Sequence, residues 1–103
     1  GLNSDSSVRK LKGMHRPIMS QGDRALLLSA LEAIDCVVIF DEETPERLIE
    51  TVLPDVLVKG GDYIAEDIVG YQTVTNNGGR VEVVSFVEGK STTGIVNLIM
   101  EQA

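Results

Sequence analysis

Two stretches share one pattern: Val58-Lys59-Gly60-Gly61-Asp62-Tyr63 and, closer to the end, Glu88-Gly89-Lys90-Ser91-Thr92-Thr93. Each follows a short apolar run typical of a buried parallel strand. Each then brings glycines, charges or hydroxyls to the point where a strand gives way to a helix, and in open α/β sheets ligands bind at that carboxyl edge. Glycine allows a close backbone approach, and the unpaired N–H groups at a helix start suit phosphate. The pattern therefore predicts a sheet edge that binds phosphate groups.

Strands and helices are predicted to alternate along the chain. The predicted strands cover residues 36–40, 55–59 and 81–86, and the predicted helices cover residues 23–34, 45–53, 65–75 and 92–102. Thr44 is expected to cap the second helix, with Pro45 as its first helical residue. Gly70 is expected to interrupt the third helix. The alternation implies right-handed crossovers and predicts an α/β, Rossmann-like fold in which a parallel sheet is flanked by helices.

Apolar residues recur at helical spacing in the first and last of these helices. The residues predicted to face inward are Leu27, Ala30, Leu31, Ile34, Ile95, Leu98 and Ile99. The run from Cys36 to Phe40 is rich in β-branched residues, so this strand and its cysteine are expected to be buried.

Composition and charge exclude several classes of protein. With 103 residues and 43% hydrophobic content, residues 1–103 suit one small globular domain or a piece of one. The formal net charge of −7 argues against a general nucleic-acid surface, which needs a basic field. No apolar stretch approaches the ~18 residues needed to cross a membrane. A single cysteine gives no disulfide framework, which fits a reducing cytoplasm.

The start of the chain, Gly1-Leu2-Asn3-Ser4-Asp5, has no initiator methionine and no signal-peptide pattern. Asn3, Ser4 and Asp5 have the turn chemistry that follows a strand, although no strand is predicted before them. We therefore expect the chain to begin inside a domain.

The basic cluster of this acidic chain consists of Arg9, Lys10, Lys12 and Arg16. It is predicted to lie on a loop, either as a solvated face or as a loop that closes over a polyphosphate. Arg24 opens the first long helix, where the helix dipole disfavours a cation. A partner is therefore expected for Arg24: Asp35, an acidic loop or a bound phosphate.

Each candidate has a plainer alternative. The glycine turn can be a flexible connection in which Asp62 caps backbone amides, and the hydroxyls can serve only as a helix cap. The acidic run Asp41-Glu42-Glu43 is interpreted as helix-start electrostatics and not as a metal site, because its spacing fixes no ligand set. His15 and Cys36 cannot by themselves form a zinc site or a Cys-His nucleophile. No metal-binding residue is predicted.

A family resemblance rests on motifs from most of the chain. Besides the two stretches quoted first, they are Gly1-Leu2-Asn3-Ser4-Asp5, Arg16-Pro17-Ile18, Phe40-Asp41-Glu42-Glu43-Thr44-Pro45 and Leu53-Pro54-Asp55. With them the sequence resembles the cytidylyltransferase-like nucleotidyltransferases. It most resembles their heptose 1-phosphate adenylyltransferase branch, which serves bacterial ADP-heptose synthesis.

The resemblance implies a specific reaction. AMP would pass from ATP to D-glycero-D-manno-heptose 1-phosphate, giving ADP-heptose and pyrophosphate for lipopolysaccharide core synthesis. ATP is then the nucleotide substrate, with Mg²⁺ as the expected ion. The resemblance also implies that a kinase domain can precede these residues in the same polypeptide, and that the protein is a homo-oligomer.

The resemblance further assigns roles to individual residues. Lys12 and Arg24 are predicted to be catalytic. The predicted nucleotide-binding residues are Lys10, Gly60, Asp62, Tyr63, Ser91, Thr92 and Thr93. Of these, the three hydroxyl residues would hold the phosphates, and the residues of the glycine turn would line the nucleoside. Asp35 is expected to contact the residues that bind the ligand, without contacting the ligand itself.

The sequence departs from the family pattern in two ways. The family's H-x-G-H motif, whose histidines stabilise the transferring phosphates, cannot be present because His15 is the single histidine. The family's first strand, which lies in the middle of its sheet, its first helix and most of its second strand are also expected to be missing. These residues alone are therefore expected to be inactive. Phe86 stands where the cytidylyltransferases carry arginine, which favours the heptose branch and removes one phosphate contact.

Three other functions stay open. A glycerol-3-phosphate cytidylyltransferase would differ in the nucleotide that it binds. A non-catalytic α/β binding module would have no H-x-G-H motif encoded upstream. A receiver-like signalling domain is disfavoured, because the cluster of acids that it needs at the end of a first strand is absent.

Overall fold

Short parallel strands alternate with helices in the computed structural model, which describes residues 1–103. The chain forms two units, unit 1 (Gly1–Leu53) and unit 2 (Pro54–Ala103). Unit 1 contains β1 (Leu2–Asn3), α1 (Asp5–Lys12), α2 (Gln21–Ser29), β2 (Ile39–Phe40) and α3 (Glu46–Val52). Unit 2 contains β3 (Val56–Gly60), a 3-10 helix (Ala65–Asp67), α4 (Tyr71–Asn76), β4 (Arg80–Val84) and α5 (Thr92–Gln102).

Each unit holds one two-stranded sheet. Strand β1 pairs with β2, and β3 pairs with β4, in both cases in parallel. Parallel strands that alternate with helices confirm the predicted α/β, Rossmann-like class. The two pairs belong to separate sheets. The short strand β1 includes Asn3, the first of the residues before which no strand was predicted, and Ser4 and Asp5 follow as the cap and the first residue of α1.

Two buried serines organise the start of unit 1. Ser4 follows β1 and caps α1, because its Oγ accepts a hydrogen bond from Ser7 N at 3.2 Å. The Ser7 hydroxyl donates to Glu42 O at 2.6 Å and accepts from the Asn3 side chain at 3.0 Å. The first turn of α1 is thereby joined to the segment that follows β2.

Helix α1 corrects the prediction that the basic cluster lies on a loop for three of its four residues, whereas Arg16 lies in the loop after the helix. Arg9, Lys10 and Lys12 occupy its last turn, and Asp5 lies in its first turn. This order of charges complements the helix dipole, which favours acids at the amino end and cations at the carboxyl end. The Ser4 cap and the charge order are present in the sequence, and together they are the signal that predicts this helix.

Two elements of unit 1 are shorter than predicted. Strand β2 covers two of the five predicted residues, since its partner β1 is itself two residues long. Helix α2 ends at Ser29 and not at residue 34. The next N–H groups form tighter i→i+3 bonds, such as Leu31 N to Leu28 O at 3.1 Å, and these end the α-helix.

The start of α3 lies one residue later than predicted. Pro45 occupies the cap position, Glu46 is the first helical residue, and no side chain caps the helix. Thr44 is therefore not the cap, because the backbone of Pro45 has not yet entered the helix. The prediction that the helix ends before Pro54 is confirmed. The last helical residue is Val52, and Leu53 follows in the left-handed conformation.

The β3–β4 ladder of unit 2 has five residue pairs, with Val56–Gly60 opposite Arg80–Val84. Gly61 N extends it with a hydrogen bond to Val84 O at 2.8 Å. Because the ladder stops there, β4 ends at Val84 and not at the predicted Phe86. The final helix, α5, has the predicted bounds.

Helix α4 packs on this ladder through Val74, which is fully buried. Gly70 has a φ of 91° and separates the 3-10 helix from α4, as predicted. Gly79 permits the tight connection from α4 to β4. A Cβ atom there would lie 2.6 Å from Asp55 O and 2.8 Å from Val74 Cγ1, so no larger residue fits without movement.

Many apolar side chains that were predicted to face inward are exposed. Leu27 and Leu31 are 58% and 54% exposed, and Ile95, Leu98 and Ile99 in α5 are 56–61% exposed. Ala30 is also exposed, Ile34 is half-buried, and Cys36 is exposed. Helical spacing predicts that residues share a face, but it does not supply a neighbouring element to cover that face. The buried apolar side chains are Phe40, Ile49, Ile68 and Val74.

Candidate functional site

Gly61 shapes the edge of the sheet where β3 and β4 end. It is buried, and its φ of 128° favours glycine. A Cβ atom at Gly61 would lie 2.7 Å from Cε2 of Tyr63 and 3.0 Å from Cζ of Phe86. Glycine at this position therefore lets two aromatic rings approach the same point of the backbone.

Lys59 brings a positive charge to this edge. Its Nζ lies 4.7 Å from the centroid of the Tyr63 ring, which is the distance of a cation–π contact. The Tyr63 side chain is 51% exposed, so the contact is accessible to solvent. An ammonium group held beside the glycine turn attracts an anionic ligand.

A depression of about 450 Å³ adjoins the glycine turn. Its walls are formed by Asp62 and by residues 85–91. This volume lies within the ~300–1,000 Å³ range of small-molecule sites. The walls combine the carboxylates of Asp62 and Glu88 and the ammonium group of Lys90 with the apolar side chains of Phe86 and Val87.

The hydroxyl residues lie at the start of α5. Ser91 caps this helix, and its Oγ accepts a hydrogen bond from Gly94 N at 2.9 Å. Ser91 is therefore a helix cap, which is the role expected for one of the hydroxyl residues. Thr92 and Thr93 are the first two residues of the eleven-residue helix and are exposed. Two exposed hydroxyls beside the unpaired N–H groups of a helix start form an arrangement that suits phosphate oxygens.

Within unit 2 the predicted binding residues therefore fall into two groups. Gly60, Asp62 and Tyr63 belong to the glycine turn, and the hydroxyl residues belong to the start of α5. The depression is lined by one member of each group, Asp62 and Ser91. Their roles in nucleotide binding stay predictions.

The predicted phosphate-binding lysines belong to unit 1. Lys10 and Lys12 lie in the last turn of α1, and both side chains are exposed. Their charges complement the carboxyl end of the helix, and their exposure leaves the ammonium groups accessible to an anionic ligand. Their phosphate-binding roles stay predictions.

Arg24 has a structural role in unit 1. Its guanidinium group donates to Asn3 O and Asp5 Oδ1, both at 2.9 Å, and to Met19 O at 3.0 Å. The partner is therefore Asp5, which was not among the three expected partners, while Asp35 is exposed. Asp5 is the first residue of α1 and lies 19 positions before Arg24, so no local sequence pattern links the two. The catalytic role of Arg24 stays a prediction.

The carboxylates near the glycine turn fit a metal ion that is bound together with substrate phosphates, and they do not fit a metal ion held by protein ligands alone. No group of three or more His, Cys, Asp or Glu side chains is arranged to hold a metal ion. Asp62 and Glu88 line the depression, and Mg²⁺ is commonly bound by one or two carboxylates together with substrate phosphates. This donor set fits a Mg²⁺ ion that a nucleotide carries, and it does not fit an ion held by protein ligands alone.

None of the helices combines the length and the apolar character that a bilayer-spanning segment needs.

A sequence comparison assigns these parallel α/β units, with their glycine turn and hydroxyl-rich helix start, to a known class of proteins. The family model described as cytidylyltransferase-like matches residues 1–98. The chain belongs to the cytidylyltransferase-like family, as its motifs predicted.

Curated relatives match nearly the whole chain. The bifunctional protein HldE of Geotalea uraniireducens (strain Rf4) is 61% identical over 99 residues, which cover 96% of this chain and 20% of the relative. The bifunctional protein HldE of Geobacter metallireducens is 60% identical over 100 residues, which cover 97% of this chain and 20% of the relative. The bifunctional protein HldE of Mesorhizobium japonicum is 56% identical over 96 residues, which cover 93% of this chain and 19% of the relative. The chain thus spans about a fifth of the length of these relatives.

Proposed function

We propose that this chain is part of the nucleotidyltransferase region of an HldE-type protein, and that the full-length protein transfers AMP from ATP to D-glycero-D-manno-heptose 1-phosphate. The products are ADP-heptose and pyrophosphate. The observation that carries the proposal is the start of α5, where exposed hydroxyls meet unpaired helical N–H groups beside the depression. Family membership and the 61% identity to a bifunctional protein HldE support the same activity.

The proposed reaction is a substitution at the α-phosphorus of ATP. An oxygen of the sugar 1-phosphate attacks in line and forms the new P–O bond. The bond between the α-phosphorus and its bridging oxygen breaks, and the electron pair leaves with pyrophosphate. Little covalent chemistry falls to the protein, so positioning and charge stabilisation account for catalysis.

The proposed roles follow from the two groups of residues in unit 2. The hydroxyls of Thr92 and Thr93, with the adjacent backbone N–H groups, donate to phosphate oxygens. Gly60, Asp62 and Tyr63 line the nucleoside. Glu88, which also lines the depression, would share a Mg²⁺ ion with the triphosphate, and this ion would neutralise part of the phosphate charge.

The roles proposed for the basic residues of unit 1 rest on the family resemblance. Lys10 and Lys12 neutralise phosphate oxygens, and Lys12 and Arg24 act on the charge that develops in the transition state. The H-x-G-H histidines that the family resemblance implies would come from residues outside this sequence, because His15 is its single histidine. Residues 1–103 by themselves are therefore proposed to be inactive.

The relatives also support a second activity in the full-length protein. They are named bifunctional proteins, and the chain spans about a fifth of them. We propose that the other activity is a kinase encoded in the same polypeptide. The proposal further includes a homo-oligomer that acts in the cytoplasm and supplies ADP-heptose for lipopolysaccharide core synthesis.

Replacing Thr92 and Thr93 together by alanine in the full-length protein tests the phosphate role of α5. Hydrogen bonds to charged groups are worth about 1.5–3 kcal/mol each, so kcat/KM for ATP should fall at least about 10-fold. The measurement is transfer of label from the α-phosphate of ATP to ADP-heptose. Asn97→Ala, at an exposed position of the same helix, serves as the control and should leave kcat/KM unchanged.

Two results would contradict the proposal. An unchanged kcat/KM in the double variant would mean that the phosphates are not held at α5. A full-length wild-type protein that forms no ADP-heptose, or that makes CDP-glycerol faster from CTP and glycerol 3-phosphate, would remove the assigned reaction.

A further inference from the structure

Phe86 is an exposed aromatic side chain without a role in the chemistry described so far. It follows the end of β4 by two residues, is 69% exposed and lines the depression. Its ring lies against the glycine turn: Cζ is 3.0 Å from the Cβ position of Gly61, and Cε1 is 3.8 Å from that of Gly60. The backbone supports one part of the ring, and the rest is accessible to a ligand.

Tyr63 lies beside the same glycine. Its Cε2 and Cδ2 atoms are 2.7 and 3.1 Å from the Cβ position of Gly61, and the Lys59 ammonium group contacts its ring. Two exposed aromatic rings therefore converge at one residue that has no side chain. Clustered apolar surface that is left exposed beside a depression is typical of a ligand-binding site.

The lining of the depression combines two kinds of chemistry. Phe86 contributes an aromatic ring, and Ser91 caps the hydroxyl-rich start of α5. A phosphate group gains little from an aromatic ring, whereas a flat heterocycle stacks on one. A depression that is lined by an aromatic ring and also adjoins a phosphate-suited helix start matches a molecule that carries both a base and phosphates.

We propose that the base of the bound nucleotide stacks on Phe86, with Tyr63 bordering the same surface, so that Phe86 is a specificity-determining residue. The identity of that nucleotide as ATP rests on the proposed function, whereas stacking itself requires only a base. Asp62 lines the same depression, and its carboxylate can accept a hydrogen bond from a ribose hydroxyl or a base amino group.

The kinetic test compares ATP with inorganic tripolyphosphate, which has no base, in the full-length protein. Phe86→Ala should raise the KM for ATP about 5- to 150-fold, the range expected for a lost base–aromatic stack. Its kcat should stay near the wild-type value, because stacking is equal in the ground and transition states. The inhibition constant of tripolyphosphate against ATP should change by less than about twofold, since it makes no stack.

Three further variants separate stacking from folding effects. Phe86→Tyr keeps the aromatic ring and should retain the wild-type KM, whereas Phe86→Leu keeps apolar bulk without a ring and should not. Met100→Ala removes an apolar side chain that is 70% exposed on α5 and should have no effect. Phe86→Trp adds a measurement that needs no turnover. The fluorescence of its new tryptophan, after subtraction of the wild-type fluorescence, should be quenched by ATP and not by tripolyphosphate.

The outcomes distinguish this inference from the proposed function. An unchanged KM in Phe86→Ala, a wild-type KM in Phe86→Leu, or equal losses for ATP and tripolyphosphate would overturn the stacking role and leave the enzyme proposal standing. A wild-type protein without ADP-heptose formation would overturn the enzyme proposal. The fluorescence of Phe86→Trp would then still decide whether a base stacks at this position.

Discussion

Gly79 allows α4 to connect closely to β4, and its replacement by alanine is expected to destabilise the protein. The added Cβ atom would meet backbone oxygen at 2.6 Å and Val74 at 2.8 Å. Overpacking of this kind costs about 1–3 kcal/mol. The measurement is the thermal unfolding midpoint of the domain that contains these residues.

Gly22 is the matched control for that substitution. It lies in α2, and its Cβ position has no atom within 4 Å. Alanine there should be neutral or stabilise by about 0.5–1 kcal/mol, because glycine is a poor helix former. Similar midpoints for both variants would mean that the connection at Gly79 has room for a Cβ atom, in contradiction to the short distances described.

Arg24 shows why the role of a single residue is hard to read from sequence. Its position at the start of a helix correctly predicted that a partner was needed. The partner is Asp5, together with two backbone carbonyls, and both side chains of the ion pair are less than 30% exposed. A structural role does not exclude a catalytic one, because the guanidinium group has five N–H donors and three are used here.

At the scale of elements, helix α1 depends on its buried serine. Ser7→Ala removes the hydroxyl that donates to Glu42 O and leaves that carbonyl without this donor. A hydrogen bond of this kind contributes about 0.5–1.5 kcal/mol, and the Asn3 amide that donates to the same hydroxyl also loses its acceptor, so the unfolding midpoint should fall. Ser6→Ala, at an exposed neighbouring position, loses a single hydrogen bond of 3.1 Å to Ser4 Oγ and should change the stability by less, about 0.5 kcal/mol. Equal effects of the two substitutions would show that the Ser7 bond is not what anchors α1.

The order and class of the elements could be predicted because the signals are local. Gly70 and the asparagine-glycine run after α4 mark breaks that depend on backbone conformation alone, and α5 has its own serine cap. The length of β2 could not be predicted, since a strand extends only as far as its partner does. Helix α1 was missed because its basic residues suggested a ligand-binding loop, although they equally complement a helix end.

The candidate site was predictable in part for the same reason. Parallel strands place the turns after them at one edge, so the glycine turn and the segment before α5 were expected to approach each other. The depression between Asp62 and Ser91 agrees with this expectation. The exposed ring of Phe86 beside Gly61 was not predicted, because it depends on where β4 ends, two residues before the boundary expected from apolar pattern.

Taken as a whole molecule, the chain leaves much apolar surface in contact with solvent. Four apolar side chains are buried: Phe40 and Ile49 in unit 1, and Ile68 and Val74 in unit 2. Leu26 and Phe86 are both 69% exposed, and Val58 in strand β3 is 58% exposed. A two-stranded sheet is marginally stable without further packing.

Residues 1–103 produced alone are therefore expected to be weakly stable. They should bind a hydrophobic dye such as ANS and unfold at low urea concentration with a shallow transition. The full-length protein, measured under the same conditions, is the control. A steep urea transition without dye binding would show that the two units are well packed by themselves.

The parallel ladder also restricts where the length of this chain can change. Gly60 and Val84 are opposite each other, so both loops leave the sheet at the same level. One residue inserted within β4 would exchange the two faces of every later strand position. It would also carry Phe86 away from Gly61. Natural variants of this domain are therefore expected to show no insertions or deletions inside β4.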